Sequence, residues 1–221
     1  MLLSIPTWII HLLTVTEWLA AIVLIRRYAV AIENRRLQLF ALAMIPHLLG
    51  GLMILAFHLS GDATQWLIGA ARLFTFAGSL SLLAVSLWIL QPRWIAGARL
   101  AALVLTIGVL WAGWRLADGG GPTALLPATN LAYLSFLITL LLLYRKDRSL
   151  FSPVSVFGFW CLLLFVAVTI VATLVATTRL GLPSLTHADL LHGASESLLS
   201  VSNFLIAYGA YRRLRMATLG E

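Results

Sequence analysis

The chain has 221 residues, of which 61% are hydrophobic and only 10% charged, against about 25% charged in a soluble domain. With a mean hydropathy of +0.98, the solvent for most of it is lipid, and a water-soluble globular domain is excluded. The net charge of +7 would suit nucleic acid, but the basic residues fall in short clusters between apolar runs, where they set membrane orientation, so no nucleic-acid partner is expected.

A helical crossing needs about 20 apolar residues. Seven runs qualify, beginning with Ile5–Ile25. Met1 to Thr7 holds no Lys or Arg, so this first run is expected to be a permanent span rather than a removable signal. Leu37–Leu59 and Trp66–Leu90 follow, parted by Gly61-Asp62. Trp94–Leu116 comes after Gln91-Pro92 and is diluted by Gly97, Arg99, Gly108 and Gly113. Beyond the turn at 118–122 come Thr123–Tyr144, Val154–Thr177 and Leu190–Tyr211, broken at Ser152-Pro153 and Gly181-Leu182-Pro183. Short connections make neighbours antiparallel. With no alternating barrel pattern, helices are the expected answer to buried backbone.

Charge gives the direction. Twelve of the 15 Lys and Arg residues cluster after the first, third, fifth and seventh runs. The positive-inside rule then places the N-terminus outside and the C-terminus in the cytoplasm or stroma. The expected fold is an all-α polytopic integral membrane bundle of seven transmembrane helices. Its seam lies at Gly119–Gly121, between a four-helix unit at 1–118 and a three-helix unit at 119–221, in one compact bundle. The lone Cys161 excludes an internal disulfide and a cysteine metal cage.

Ionisable residues inside spans are costly and normally turn toward a bundle interior. His11, Glu17, His58, Arg72, His192 and Glu196 all lie within the predicted spans, most of them in the outer leaflet. His192 and Glu196 are four apart and share a face. Arg72 is the natural counter-charge for Glu17 or Glu196. His47 follows Pro46 and serves as well to satisfy freed backbone. His187 reads as loop, and Asp189 as a first-turn acid. These positions outline an outer-leaflet pocket and are candidate cofactor-binding residues. His11, His58, His192 and Glu196 are the candidate metal ligands among them.

Three chemistries remain open. Histidines can ligate haem iron or a chlorophyll magnesium; His and Glu together suit Zn or Fe, a weaker choice here; or they can relay protons in a transporter. No His-Glu-x-x-His, Walker loop or Gly-x-Ser-x-Gly is present. Whether the chain is an enzyme stays undecided.

Two stretches carry a resemblance. Trp8-x-x-His11, Glu17-Trp18, Arg27-Tyr28, Asn34-Arg35, Met44-x-Pro46 and His58 resemble the cyanobacterial and plastid family of domain of unknown function 2499. Leu191-His192-Gly193-x-x-Glu196-Ser197, followed by Asn203, is similar to domain of unknown function 3593. The resemblance implies an oxygenic phototroph and a thylakoid or plasma membrane. The expected function is to bind a cofactor or lipid-soluble ligand in the His/Glu pocket and assist the photosynthetic apparatus. Membrane lipids, and photosystem or other membrane subunits, would be its partners. The rivals are a metal- or acid/base-dependent enzyme acting on a lipid, quinone, carotenoid or chlorophyll precursor, and a transporter.

Overall fold

A computed structural model describes residues 3–91, 103–105, 107, 108, 111 and 125–219, which are almost entirely helical and contain no strand. The predicted fourth span, Trp94–Leu116, lies almost wholly outside the described residues.

Helix α1 runs Ile5–Ala31, with Pro6 in its first turn, where a missing N–H costs nothing. It continues past Arg26 and Arg27, six residues beyond the apolar run, because charged side chains at a helix end can reach water without ending the helix. Glu33 turns the chain with a positive φ of 53°, and Asn34 caps the next helix by accepting from the Arg36 and Leu37 amides. The second run is not one helix. It divides into α2, Arg35–Ala43, and α3, Ile45–Leu59, because Pro46 cannot continue the backbone ladder. At this break the Trp18 indole donates to the Met44 carbonyl at 3.1 Å. Trp18→Phe keeps the ring and loses this donor; we expect a stability loss of about 1 kcal/mol, read by unfolding in detergent.

Gly61 and Asp62, both at positive φ, turn the chain into α4, Trp66–Leu90. Next among the described helices are α5, Leu125–Lys146, and α6, Pro153–Leu174, the latter capped by Ser152. One π turn, Val175–Arg179, extends α6, with Thr177 and Thr178 hydroxyls bonded back to the preceding turn. Helix α7 runs Asp189–Leu219, well past the predicted end at Tyr211, since its last turns carry Arg212, Arg213 and Arg215 into water.

Five segments are long and apolar enough to cross a membrane: Ile5–Ala31, Arg35–Leu59, Trp66–Leu90, Leu125–Lys146 and Pro153–Arg179. Helix α7 is longer than any of them but is diluted by His192, Glu196, Asn203 and four serines between residues 195 and 202. Large apolar side chains lie exposed along the bundle, including Leu12, Leu19, Leu131, Ile138 and Phe157. In water such a surface would aggregate; in lipid it is the natural outer face. The chain is a membrane protein.

Helix α1 packs along α7, α7 along α6, and α4 along α3 and α5. Phe40, Phe136 and Phe159 knit α2, α5 and α6 into one aromatic cluster, with centroids 5.4 to 6.1 Å apart. Ring pairs at these spacings favour the tilted and edge-to-face arrangements seen here. The α6–α7 contact is made of small and hydroxyl residues. Ser202 donates to the Gly158 carbonyl at 2.6 Å, and Ser155 to the Ile206 carbonyl at 3.1 Å. Without a hydrophobic force between helices in lipid, such close packing and hydrogen bonding hold them together.

Candidate functional site

The parallel contact of α1 and α7 builds the site. Thr7 and Gly193 face each other near the end where both helices begin. A Cβ on Gly193 would stand 2.8 Å from the Thr7 hydroxyl, so only glycine permits this approach. One turn further along α1, His11 meets His192, with their Nε2 atoms 3.1 Å apart. Helix α3 runs the opposite way and brings its penultimate residue, His58, to the same place. The three imidazole centroids lie 4.9, 5.1 and 5.5 Å from one another, and all three residues are buried.

One nitrogen from each ring lies within 4.8 Å of the other two. A Zn–imidazole bond is about 2.0–2.1 Å, so two nitrogens on one tetrahedral ion sit about 3.3 Å apart. The His11–His192 separation already has that value. The outer faces of the rings are backed by carboxylates. Asp62 lies 2.8 Å from His58 Nδ1, which commits that nitrogen and leaves Nε2 toward the cluster. Glu196 lies 3.9 Å from His11 Nδ1, on the edge of the ring away from His192. Carboxylates on the far nitrogen are the usual support of metal-ligating histidines, fixing tautomer and ring direction. Asp62 holds this place from a left-handed backbone conformation, φ 63°, of the kind concentrated at functional sites. His192 Nδ1 is buried without a partner among the described residues.

The sequence-predicted residues divide here. His11, His58 and His192 converge, with Glu196 against them. Glu17 stands apart, about 9 Å further along α1, where Ser200 donates to it at 2.8 Å. Arg72 makes no ion pair with either glutamate among the described residues, contrary to the expected pairing. The reason is topological: α4 packs on α2, α3 and α5, not on α1 or α7. His47 lies about 16 Å along α3 from His58 and bonds to Ser79 at 3.3 Å. Asp189 receives the Ser4 backbone N–H at 3.3 Å, tying the start of the chain to α7. In the sequence Asp62 stands out only as part of the Gly61-Asp62 breaker. Its signal was its position four residues beyond His58, visible only if the helix is known to turn there.

A cavity of about 310 Å³ opens directly beside the cluster. His11 and Glu196 form one end, Trp18, His47 and Tyr133 the other, and Ile54, Leu163 and Val166 line its apolar sides.

Residues 2–88 match the family described as protein of unknown function DUF2499, and residues 122–215 that described as protein of unknown function DUF3593. The Ycf49-like protein of Synechocystis sp. (strain ATCC 27184 / PCC 6803 / Kazusa) is 35% identical over 89 residues, covering 39% of this chain and 86% of that protein. The chain belongs to the Ycf49-like family. It joins that DUF2499 part to a DUF3593 part, as the motifs in both stretches implied. His11 and His58 fall in the first matched stretch and His192 in the second, so neither part supplies the three-histidine cluster by itself. No solved structure matches.

Proposed function

We propose that this Ycf49-like chain is a metal-dependent protein of a photosynthetic membrane, acting on a lipid-soluble molecule bound beside the ion. The convergence of three imidazoles backed by Asp62 and Glu196 carries this reading. His11, His58 and His192 are the ligands, through their inward nitrogens. Asp62 orients the His58 ring, and Glu196 sets a negative charge beside His11. Imidazole sets suit Zn or Fe, and three protein ligands leave a coordination position free for water or substrate. An ion there polarises an oxygen placed on it. Glu196, which also lines the cavity, would accept the proton that a water or hydroxyl on such an ion gives up.

A bare ion fits better than a haem held by two histidines. A macrocycle held between two axial imidazoles needs their nitrogens about 4 Å apart, two bonds of about 2 Å, with its plane between. The direct His11–His192 hydrogen bond leaves no such slot.

The topology belongs to the same proposal. Helix α7 crosses as well, its polar residues turned toward α1 and α6, which with the five apolar segments makes six crossings among the described residues. The basic clusters after the first, third, fifth and seventh runs support an outside N-terminus, which would set the metal in the outer leaflet. The cyanobacterial relative supports the photosynthetic setting. A supporting role in the biogenesis or function of the photosynthetic apparatus, through membrane subunits, fits it.

The test is elemental analysis of protein purified from membranes with a tag free of histidine. We expect close to one Zn or Fe per chain. Metal below about a tenth per chain, with no uptake on titration with Zn(II) or Fe(II), overturns the metal reading.

A further inference from the structure

The cavity beside the cluster has a chemistry of its own. It follows α1 from His11 to Trp18 and α7 from Glu196 to Asn203, about 10 Å of depth along each helix. Its volume of about 310 Å³ is at the lower end of the range for small-molecule sites. Among the described residues no Lys or Arg lines it, so it offers no cation to a phosphate or carboxylate headgroup. Its long walls are aliphatic, with aromatic rings at the deep end. The occupant is therefore neutral and mostly apolar.

The unpartnered polar atoms say more. Asn203 Nδ2 donates to the Thr14 carbonyl at 3.0 Å, which fixes the amide and leaves Oδ1 as an acceptor. Ser79 gives its proton to the Thr75 carbonyl, so at 3.3 Å it accepts from His47 Nε2. His47 Nδ1 then carries a lone pair. Both Asn203 Oδ1 and His47 Nδ1 are buried without a partner among the described residues. Each is an acceptor, but His47 Nδ1 stands against Gly78 of α4, which leaves Asn203 as the acceptor on the cavity wall. Buried acceptors left unmade are costly, and a ligand that brings a donor relieves the cost while one bringing a carbonyl or ether does not.

We propose that the cavity binds a neutral, membrane-dissolved molecule carrying a hydroxyl group, of the phenol or long-chain alcohol kind, whose O–H is recognised by Asn203 in the wall shared by α1, α3, α6 and α7. The molecule enters from the lipid and lies along α1, with one end against Glu196 and the three-histidine cluster. Occupancy of the cavity does not depend on the ion.

The probe is 4-octylphenol, with its O-methyl ether 4-octylanisole as the matched molecule lacking a donor. Binding to the full chain in nanodiscs is measured by equilibrium dialysis, with empty nanodiscs subtracted. The phenol is expected to bind once per chain and at least ten-fold more tightly than the anisole. Ile54→Trp, which fills the cavity from α3, should lose both, and Asn203→Leu should bring the phenol down to the anisole. Asn203 also holds Thr14; if that variant does not fold, the wild-type ratio and Ile54→Trp decide alone. Equal affinity for phenol and anisole, or phenol binding untouched by Ile54→Trp, overturns the proposal. Metal is counted on the same samples. Phenol binding without metal sinks the metal reading and leaves this one standing; metal without phenol binding does the reverse.

Discussion

His192→Ala is expected to abolish metal binding, with affinity falling by at least 100-fold and occupancy near zero at equimolar Zn(II). The imidazole is one of only three converging nitrogens, and alanine leaves two ligands with a gap opposite His11. The neighbouring variants grade the effect. Asp62→Asn keeps an oxygen near His58 Nδ1 but removes the charge that orients it, and losing such a second partner typically costs about 10- to 100-fold in metal affinity. Glu196→Gln should leave the ion in place, because the carboxylate stands 3.9 Å from His11 Nδ1, beyond hydrogen-bond reach, whereas Asp62 meets His58 Nδ1 at 2.8 Å. It should instead remove turnover of whatever the site acts on. Competition titration against a chromophoric chelator reads all three. Wild-type affinity in His192→Ala places the metal somewhere else in the chain. Wild-type affinity in Asp62→Asn removes Asp62 from the site.

Gly158→Leu is expected to cost about 3 kcal/mol, because the buried glycine leaves no room for a side chain. A Cβ at residue 158 already meets the Ile206 backbone nitrogen and Cγ1 at 2.9 Å, so a leucine forces α6 off α7. The Ser202 hydrogen bond to the Gly158 carbonyl and the Ser155 hydrogen bond to Ile206 go with it. Each such bond is worth roughly 0.6 kcal/mol between helices in a membrane, so the steric term dominates. Phe157 is the control. It is 62% exposed and faces outward, and Phe157→Leu should shift stability by no more than about 0.5 kcal/mol. Reversible unfolding in mixed micelles separates them. Equal stabilities for the two variants would mean that the α6–α7 contact is not close-packed. Since α7 carries His192 and Glu196, Gly158→Leu should also weaken metal binding, whereas Phe157→Leu should not.

Of the seven apolar runs, five stand out as membrane-length segments, because lipid demands a long stretch free of charge; most of their breakers are visible as Gly, Pro or Asp, but the first turn, at Glu33 and Asn34, is not, and α1 runs six residues past its predicted end. They did not announce the break at Met44. Pro46 signals a weak point, yet hydropathy is continuous across it, and only the helical backbone shows two helices with Trp18 bonded between them. Helix α7 illustrates the converse. Its polar residues lower its apolar signal, yet their burial follows from packing against two other helices.

What the sequence determined alone is the medium, the helical class, the family and the short list of ionisable residues in apolar surroundings. Those follow from transfer energies and local motifs, which are properties of each segment by itself. Only the tertiary structure decided which of those residues meet. Helical phase ranks His47 and His58 alike, and Glu17 as well as Glu196. It is the close approach of α1 and α7 at Gly193, and the return of α3 beside them, that admits His58 and leaves His47, Glu17 and Arg72 outside. Contacts between residues about 180 positions apart depend on how helices choose neighbours, and that choice rests on side-chain shape at the interfaces rather than on any single segment.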